Sequence, residues 1–314
     1  MESDATDFLD GFKLQGQIYA LIEIRNGRSG MIYIGCHLSV TDGYEAMGHT
    51  MSRFGGNTFA WFTRNPRGGR TKPVTQEDVD ALMSHVKTEG FGPLVAHGSY
   101  TMNLCSAKPE TRENGLDMLR QDIARMEMLP GNLYNFHPGS HTGQGTETGI
   151  TQIADALNQV VTPDTGTMIL LETMAGKGSE IGSTFEELRE IIDRVNLNEK
   201  IGICFDTCHT WDAGYDLVKD LDGVLQHFDD VIGLPRLRAV HFNDSKNDRG
   251  SHKDRHEKLG QGCLGMQAMK RIAQHPMLQD LPFILETPNE DEGYIKEISI
   301  VRNWFLKYEH NNSS

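Results

Sequence analysis

Short apolar runs, each bounded by glycine, proline or polar residues, recur along most of the chain, and helical patterns lie between them. One helix is predicted over 75–88, with Thr75 as its cap, acidic residues in its first turn and a lysine near its end. A second is predicted over 183–195, where Ser183 and Glu186 have the spacing of a capping box. A third, over 292–308, places Ile295, Ile298, Val301, Trp304 and Phe305 on one stripe.

Eight apolar runs are predicted to be strands, over 31–39, 58–64, 92–100, 133–140, 167–173, 201–209, 237–244 and 281–288. Their starts lie 27 to 44 residues apart, which is the length of a strand followed by a crossover helix. The pattern predicts a single α/β domain over 31–308, a (β/α)₈ TIM barrel, with an N-terminal extension over 1–30 and a tail over 309–314. The extension could add an edge strand or a hairpin over 17–25. An open doubly wound sheet is the alternative, but no G-x-G-x-x-G turn follows the first strand.

Composition and targeting signals narrow the class of protein. The 314 residues are 38% hydrophobic and 24% charged, as in ordinary globular proteins. No run approaches the roughly 20 apolar residues of a membrane span, and residues 1–10 carry four acids and no base, unlike a secretory peptide. The five cysteines include no C-x-x-C pair. We therefore expect an intracellular protein in a reducing compartment, without a membrane partner.

The formal net charge of −14 argues against a general nucleic-acid coat, which would be basic. That argument weakens if some of the acidic residues bind metal.

Six consecutive predicted strands end in histidine or a carboxylate. In a barrel these ends converge on one face, where barrel active sites lie. The residues concerned are His97, His137, Glu172, Asp206 with His209, His241 and Glu286.

The predicted burial of Glu172, Asp206 and Glu286 requires a cation. An uncompensated buried charge costs several kcal/mol, and none of these strand ends contains lysine or arginine. A divalent metal held by imidazole and carboxylate is the simplest answer. Asp254 and His256, in the charged loop after the seventh strand, could close a further site with His209.

With these residues the chain resembles the endonuclease IV family of zinc-dependent apurinic/apyrimidinic endonucleases, over about residues 31–308. The stretches that carry the resemblance are IGCHLS (34–39), FTRNPR (62–67), HGSY (97–100), HPGSH (137–141), FDTCH (205–209), HFNDSK (241–246), DRH (254–256), LGQG (259–262) and ILETP (284–288). Each is short, but nine in the expected order and spacing are specific.

The resemblance implies a TIM barrel with three zinc ions. It puts His97, His137 and Glu172 on the first ion, Glu172, Asp206, His241 and Glu286 on the second, and His209, Asp254 and His256 on the third. Mn²⁺ or Fe²⁺ could share such sites. Three divalent ions would change the formal net charge from −14 to −8.

The implied reaction is hydrolysis of the phosphodiester 5′ to an abasic site in double-stranded DNA, in base excision repair. It leaves a 3′-hydroxyl and a 5′-deoxyribose phosphate, and such enzymes also trim blocked 3′ ends. Glu172, Asp206 and Glu286 are the expected catalytic carboxylates. Arg67 and Tyr100 match residues inserted into the DNA near the lesion, and the loop with Arg64, Arg67, Arg70 and Lys72 would offer four cations to DNA.

Two further positions, 98 and 208, bear on the chemistry. Residue 98 is glycine where the family commonly has aspartate, which puts a polar contact near His97 in doubt. Cys208 is expected to pack as a small apolar group rather than to act as a nucleophile.

Two other functions compete with this interpretation. A sugar isomerase or epimerase with the same barrel would need the second set of ligands alone, whereas the other five candidate ligands are also present. A metal-free DNA-binding scaffold would have lost ligands, and none is lost. We expect a monomer, because a barrel of this size buries its own core.

Overall fold

The computed structural model describes residues 32–65 and 74–309, as a ring of parallel strands surrounded by helices. The strands are β1 (Tyr33–Leu38), β2 (Ala60–Phe62), β3 (Val95–His97), β4 (Leu133–Phe136), β5 (Met168–Glu172), β6 (Ile201–Asp206), β7 (Leu237–His241), β8 (Asp244–Ser245), β9 (His256–Glu257) and β10 (Pro282–Leu285). The helices are α1 (Tyr44–Phe54), α2 (Gln76–Glu89), α3 (Pro109–Met126), α4 (Thr146–Val160), α5 (Phe185–Arg194), α6 (Thr207–Ala213), α7 (Leu221–Val231), α8 (Gly265–Gln274) and α9 (Asp291–Glu309).

Eight of the strands close into one barrel in the order β1-β10-β7-β6-β5-β4-β3-β2, and every pairing in it is parallel. Each of the eight predicted runs contains one of these strands. The predicted TIM barrel is therefore confirmed. The expected extension over 1–30 and the residues beyond 309 lie outside the described part of the chain.

The predicted helices are present, with two differences in detail. Thr75 caps α2 by accepting from the Asp78 amide, as expected, whereas α5 is capped by Thr184 rather than Ser183. Glu187, not Glu186, completes the turn by accepting from the Ser183 amide. The sequence pattern could not distinguish adjacent hydroxyl residues that offer the same cap.

The predicted apolar stripe of α9 is only partly correct. Ile298 and Val301 are fully buried, but Ile295 is 40% exposed. Helical spacing thus placed Ile295 at the edge of the stripe, where the barrel wall no longer covers it.

The barrel interior is a single apolar layer with a polar layer directly beyond it. The apolar layer comprises Ala60, Val95, Leu133, Leu170, Cys204, Ala239 and Ile284, with Met168 packed against it. Since side chains alternate along a strand, the residue two positions further faces the same interior. Those residues are Phe62, His97, Asn135, Glu172, Asp206, His241 and Glu286. All except Phe62 are polar, so the strand register brings the predicted chemistry to one end of the barrel.

Helices cover the outside of this barrel, and all but one of the cysteines are buried. Cys36, Cys105, Cys204 and Cys208 are buried and Cys263 is exposed, and all five are free thiols. In the part of the chain described, no helix combines the length and the apolar character that crossing a membrane requires.

Gly35 in β1 lies against the backbone of the segment that enters β2. A Cβ atom at this position would overlap the carbonyl oxygen of Thr58, which cannot move without shifting the strand. We expect Gly35→Ala to lower the free energy of unfolding by about 1–3 kcal/mol, the usual cost of overpacking, measured by urea denaturation. Gly166→Ala is the matched control, since its Cβ would meet only the Glu127 carboxylate, at 3.2 Å. Equal stability of the two variants would contradict this account.

Glu127 ties the end of α3 to the residues that lead into β5. Its carboxylate accepts from the Gly166 amide at 3.0 Å, and from the amide and hydroxyl of Thr167 at 3.0 and 2.7 Å. Burial acts to raise the pKa of Glu127, but these hydrogen bonds outweigh it and lower the pKa below the ordinary value of 4.5. The stabilisation is therefore complete above pH 4.5 and is lost as the pH falls through the lowered pKa of the folded protein.

We expect Glu127→Gln to cost about 0.5–1 kcal/mol of unfolding free energy at neutral pH, because the carboxamide cannot accept all of these bonds. The difference from the unsubstituted protein should shrink as the pH falls below 4.5. Chemical denaturation over this pH range measures it, with Glu113→Gln on the exposed face of the same helix as control. A difference that stays constant at acid pH would refute the role of the ionised carboxylate.

Candidate metal centre

The nine candidate ligands predicted from the sequence lie together at the carboxyl end of the barrel. Each offers one nitrogen or oxygen atom, and within each of three groups these atoms are no more than 4.8 Å apart. The groups are His97, His137 and Glu172; Glu172, Asp206, His241 and Glu286; and His209, Asp254 and His256. Two overlapping combinations also occur, His97 with His241 and Glu286, and Asp206 with Cys208 and His256.

Glu172, at the end of β5, joins the first group to the second. Its Oε2 atom lies 3.2 Å from His97 Nε2 and 3.5 Å from His137 Nε2. Its Oε1 atom lies 3.1 Å from His241 Nδ1 and 3.3 Å from His209 Nδ1. The two oxygens of one fully buried carboxylate thus face different sets of imidazoles.

Glu286 and Asp206 complete the second group around His241. The Oε2 atom of Glu286 lies 3.1 Å from His241 Nδ1, and Oδ2 of Asp206 lies 4.0 Å from the same nitrogen. Asp206 also connects the second group to the third, since its Oδ2 atom is 3.7 Å from His256 Nε2.

The third group combines a helix with a loop. His209 lies in the first turn of α6, where the Asp206 side chain caps the helix by accepting from the His209 amide. Asp254 comes from the loop between β8 and β9, and its Oδ1 atom lies 3.0 Å from His209 Nε2 and 3.7 Å from His256 Nε2. The short antiparallel pair β8–β9, which the sequence did not predict, returns this loop over the barrel mouth.

Backbone carbonyls orient three of the imidazoles. The Nδ1 atoms of His97, His209 and His256 lie 2.7, 3.0 and 3.2 Å from the carbonyl oxygens of Gly98, Thr173 and Glu286. A donated Nδ1–H leaves Nε2 free to act as a ligand, which is how metal-binding histidines are usually held.

The electrostatics match a site built for cations. Burial acts to raise the pKa of Glu172 and of Glu286, but nearby imidazoles, above all His241, lower both well below the usual range. Burial lowers the pKa of the rim imidazole His137 to about 4. Burial acts to lower the pKa of His209, yet Asp206 and Asp254 raise it well above its usual value. Metal ligation would therefore displace a proton from His209 and weaken at low pH.

The chemistry of the donor set fits divalent metal ions. Glu172, Asp206 and His241 are fully buried, and among the described residues the ion pairs of the site's carboxylates are all with histidine. In the same part of the chain, His256 Nε2 is buried without a hydrogen-bond partner. Carboxylates paired only with imidazoles, beside an imidazole nitrogen without a hydrogen-bond partner, form the kind of donor set that divalent metal ions bind.

Known proteins place this chain in a family. Residues 50–304 match the family described as the xylose isomerase-like TIM barrel. A protein named probable endonuclease 4, from Akkermansia muciniphila, is 53% identical over 275 residues, which cover 88% of this chain and 99% of that protein. A second of the same name, from Alkaliphilus oremlandii, is 53% identical over 87% of this chain and 97% of its own length. The chain belongs to the endonuclease IV family. The resemblance found from the sequence motifs is confirmed, and with it a metal-dependent DNA-repair nuclease.

Solved structures agree. The crystal structure of endonuclease IV from Thermus thermophilus superposes with a TM-score of 0.78 at 32% identity, over 88% of this chain and 99% of that one. A D-tagatose 3-epimerase-like protein superposes with a TM-score of 0.66 at 18% identity, over 90% of this chain. At that identity the likeness is one of fold alone.

In this member of the endonuclease IV family, two asparagines that the sequence pattern did not reveal also contact the candidate ligands. Asn135 donates to Glu172 Oε2 at 2.5 Å, and Asn243 donates to Asp206 Oδ2 at 2.8 Å while accepting from the Glu286 amide. Asn135 had a signal, because it lies two residues before His137 on the inward face of an otherwise apolar strand. Asn243 lies within a motif, but only the fold shows that it contacts two separate strands.

The side chains around position 98 leave room only for glycine. A Cβ there would lie 2.7 Å from the Tyr134 hydroxyl oxygen and 3.0 Å from the Met102 methyl carbon. Tyr134 fills this space and donates to buried Asp122 at 3.0 Å. His97 Nδ1 lies 2.7 Å from the Gly98 carbonyl oxygen, a backbone contact that any residue at position 98 could make.

The prediction that Arg64 offers a positive charge to DNA is wrong. Its side chain is buried, with Nη2 2.6 Å from Asp122 Oδ1 and 3.1 Å from the Met118 carbonyl oxygen. Asp122 lies 58 positions further along the chain, so no local pattern could reveal the pair. Arg67, Arg70 and Lys72 lie outside the described residues, and the role of Arg67 stays a prediction.

Tyr100 lies at the rim of the site and is 56% exposed. Its ring centre is 4.9 Å from that of Phe62 and 5.5 Å from that of His137. Cys208, by contrast, is buried, and burial raises the pKa of its thiol, which disfavours a nucleophilic thiolate as expected.

Proposed function

We propose that the chain cleaves double-stranded DNA at abasic sites with three zinc ions. It hydrolyses the phosphodiester 5′ to the lesion and leaves a 3′-hydroxyl and a 5′-deoxyribose phosphate. Trimming of blocked 3′ ends belongs to the same chemistry. The observation that carries this proposal is the presence of all three ligand groups, nine residues in total, at one barrel face. The protein acts as a monomer in a reducing intracellular compartment.

Each of the three ligand groups is proposed to bind one zinc ion. His97, His137 and Glu172 hold the first ion, Glu172, Asp206, His241 and Glu286 the second, and His209, Asp254 and His256 the third. When bound, zinc ions lower the pKa of water and neutralise charge on phosphate oxygens and on the departing oxygen.

The chain's own residues set the geometry of the reaction. Glu172 holds the first and second groups together because each of its oxygens faces a different set of imidazoles. Asn135 and Asn243 fix the Glu172 and Asp206 carboxylates by donating to one oxygen of each. Such contacts hold ligands in position before the substrate arrives, which is the main contribution of a protein to this type of catalysis.

Tyr100 and the basic residues of two loops, the one with Arg67 and the one with Asp254, bind the DNA. Tyr100 combines an exposed ring with ring contacts to Phe62 and His137, so a base next to the abasic gap can stack beside the ligands. Lys246, Lys253 and Arg255 are exposed in and around the loop that carries Asp254. Arg67 is proposed as the second residue inserted into the DNA.

A sugar isomerase or epimerase is the second candidate, favoured by the shared fold alone. Such an enzyme needs only the group that contains His241 and Glu286. It gives no reason for burying His97 and His209 beside further carboxylates or for the loop that brings Asp254 to His209.

The deciding experiment measures zinc and cleavage together. The purified protein is expected to hold about three zinc ions per chain, as the three ligand groups imply, and to nick a duplex with one abasic site while magnesium is chelated. Glu172→Ala removes the carboxylate that serves two groups. That variant should therefore lose zinc and lose cleavage by several orders of magnitude, with the barrel still folded by circular dichroism.

The control is Glu113→Ala, which removes an exposed carboxylate from α3 and should leave zinc and cleavage unchanged. Wild-type turnover in Glu172→Ala would refute the bridging role. One zinc ion per chain, no nick, and isomerisation of a ketose would favour the sugar enzyme.

Tyr100→Ala should weaken binding to an abasic duplex by about 1–3 kcal/mol, the usual contribution of one stacked base, with no loss of zinc. Tyr100→Phe keeps the ring and should bind close to the wild type. Ile295→Ala removes another exposed apolar side chain, on α9, and serves as the control. Fluorescence anisotropy with a catalytically blocked duplex measures the affinity, and a parallel fall in zinc content would mean that Tyr100 supports the ligands instead.

A further inference from the structure

Asp212 is a buried carboxylate near the third ligand group, and it belongs to none of the ligand groups itself. It lies near the end of α6 and is fully buried. Its Oδ1 atom accepts from the Ser245 hydroxyl at 2.7 Å, and its Oδ2 atom accepts from the Asp254 amide at 2.9 Å. One side chain thus connects α6, β8 and the loop that supplies a candidate metal ligand.

The backbone carbonyls of Asp212 and of its neighbour Trp211 hold the rest of that loop. The Asp212 carbonyl accepts from the His252 amide at 3.0 Å, and the Trp211 carbonyl accepts from the Gly250 amide at 3.1 Å. The Trp211 indole donates to the Asn247 carbonyl at 2.9 Å. The loop is therefore fastened to α6 along most of its length.

The loop needs such support because its backbone is strained. His252 has φ of 54° and Asp254 has φ of 52°, in the left-handed region that non-glycine residues rarely adopt. Strain of this kind persists only where surrounding contacts impose it. The hydrogen bond from the Asp254 amide to Asp212 is a contact of that type.

The same helix carries the other half of the group. His209 is three residues before Asp212 in α6, and its Nε2 atom lies 3.0 Å from Asp254 Oδ1. Holding the Asp254 backbone against α6 therefore sets the separation of two candidate ligands directly.

We propose that Asp212 is a positioning residue that assembles the third metal group, by fixing Asp254 in its left-handed conformation opposite His209. The inference rests on the proposed function, since it assumes a metal ion between His209, Asp254 and His256. Both oxygens of Asp212 accept from neutral donors, so geometry rather than charge carries the role. An asparagine can reproduce it, with its oxygen toward the Asp254 amide and its amide group toward the Ser245 hydroxyl.

The test counts bound zinc in the full-length holoprotein at a series of buffered free zinc concentrations. In Asp212→Ala the third zinc ion should be released at about 10–100-fold higher free zinc than in the wild type, the usual effect of losing an outer-shell partner of a ligand. The other two zinc ions should keep their affinity. Asp212→Asn should behave like the wild type.

Two further variants keep the test decisive. Asp212→Leu fills the buried volume without accepting a hydrogen bond, and it is measured in place of Asp212→Ala if the alanine variant does not fold. Asp222→Ala removes an exposed carboxylate on α7 that contacts only His275 among the described residues, and it should leave all three affinities unchanged.

The outcomes separate this inference from the proposed function. A third zinc ion bound as tightly in Asp212→Ala or Asp212→Leu as in the wild type overturns the role of Asp212. Equal weakening of all three ions, or an asparagine variant as weak as the alanine one, also overturns it. Fewer than three zinc ions in the wild type itself overturns the proposed function, and this inference with it.

Discussion

Four carboxylates crowded at the mouth of a barrel, without a lysine or arginine paired to any of them in the described residues, are the constraint on which the site depends. Glu172 and Asp206 are fully buried, and Glu286 and Asp254 are largely so. Such a cluster is unfavourable in a low-dielectric interior unless cations are bound. The imidazoles, the asparagines and the backbone carbonyls around this cluster keep the carboxylate oxygens at fixed separations. The oxygens are thereby arranged as ligands for cations.

The register of the barrel strands brings these carboxylates together. One layer of small and branched side chains fills the interior, and the next inward position on six of the strands bears His, Asn, Asp or Glu. Because the strands are parallel and staggered around the ring, residues distant in sequence meet at one height. Phe62 occupies the corresponding position on β2 and packs its ring 4.4 Å from that of His37 and 4.9 Å from that of Tyr100. The polar layer therefore has an aromatic edge on the side where DNA is proposed to bind.

Sugar epimerases share this architecture, so the barrel alone does not specify a nuclease. What favours a nuclease is what the connections add to the second group. The strand ends β3 and β4 contribute imidazoles, and the β8–β9 pair brings Asp254 and His256 over the mouth. The fastening of that loop to α6 by Trp211 and Asp212 explains how a charged segment holds a fixed place above a rigid barrel.

The sequence by itself determined the eight strands, the barrel and the nine residues that gather at its mouth. Those features are local or periodic: apolar runs at regular spacing, a histidine or carboxylate where a run ends, and Asp254 and His256 together in one charged loop. Only the tertiary structure decided that Arg64 is buried against Asp122 and that Tyr134 occupies the space beside Gly98. It also decided that Asn135 and Asn243 donate to Glu172 and Asp206, and that Asp212 accepts from the Asp254 amide. These contacts join residues 33 to 58 positions apart, so no local sequence pattern contains both partners.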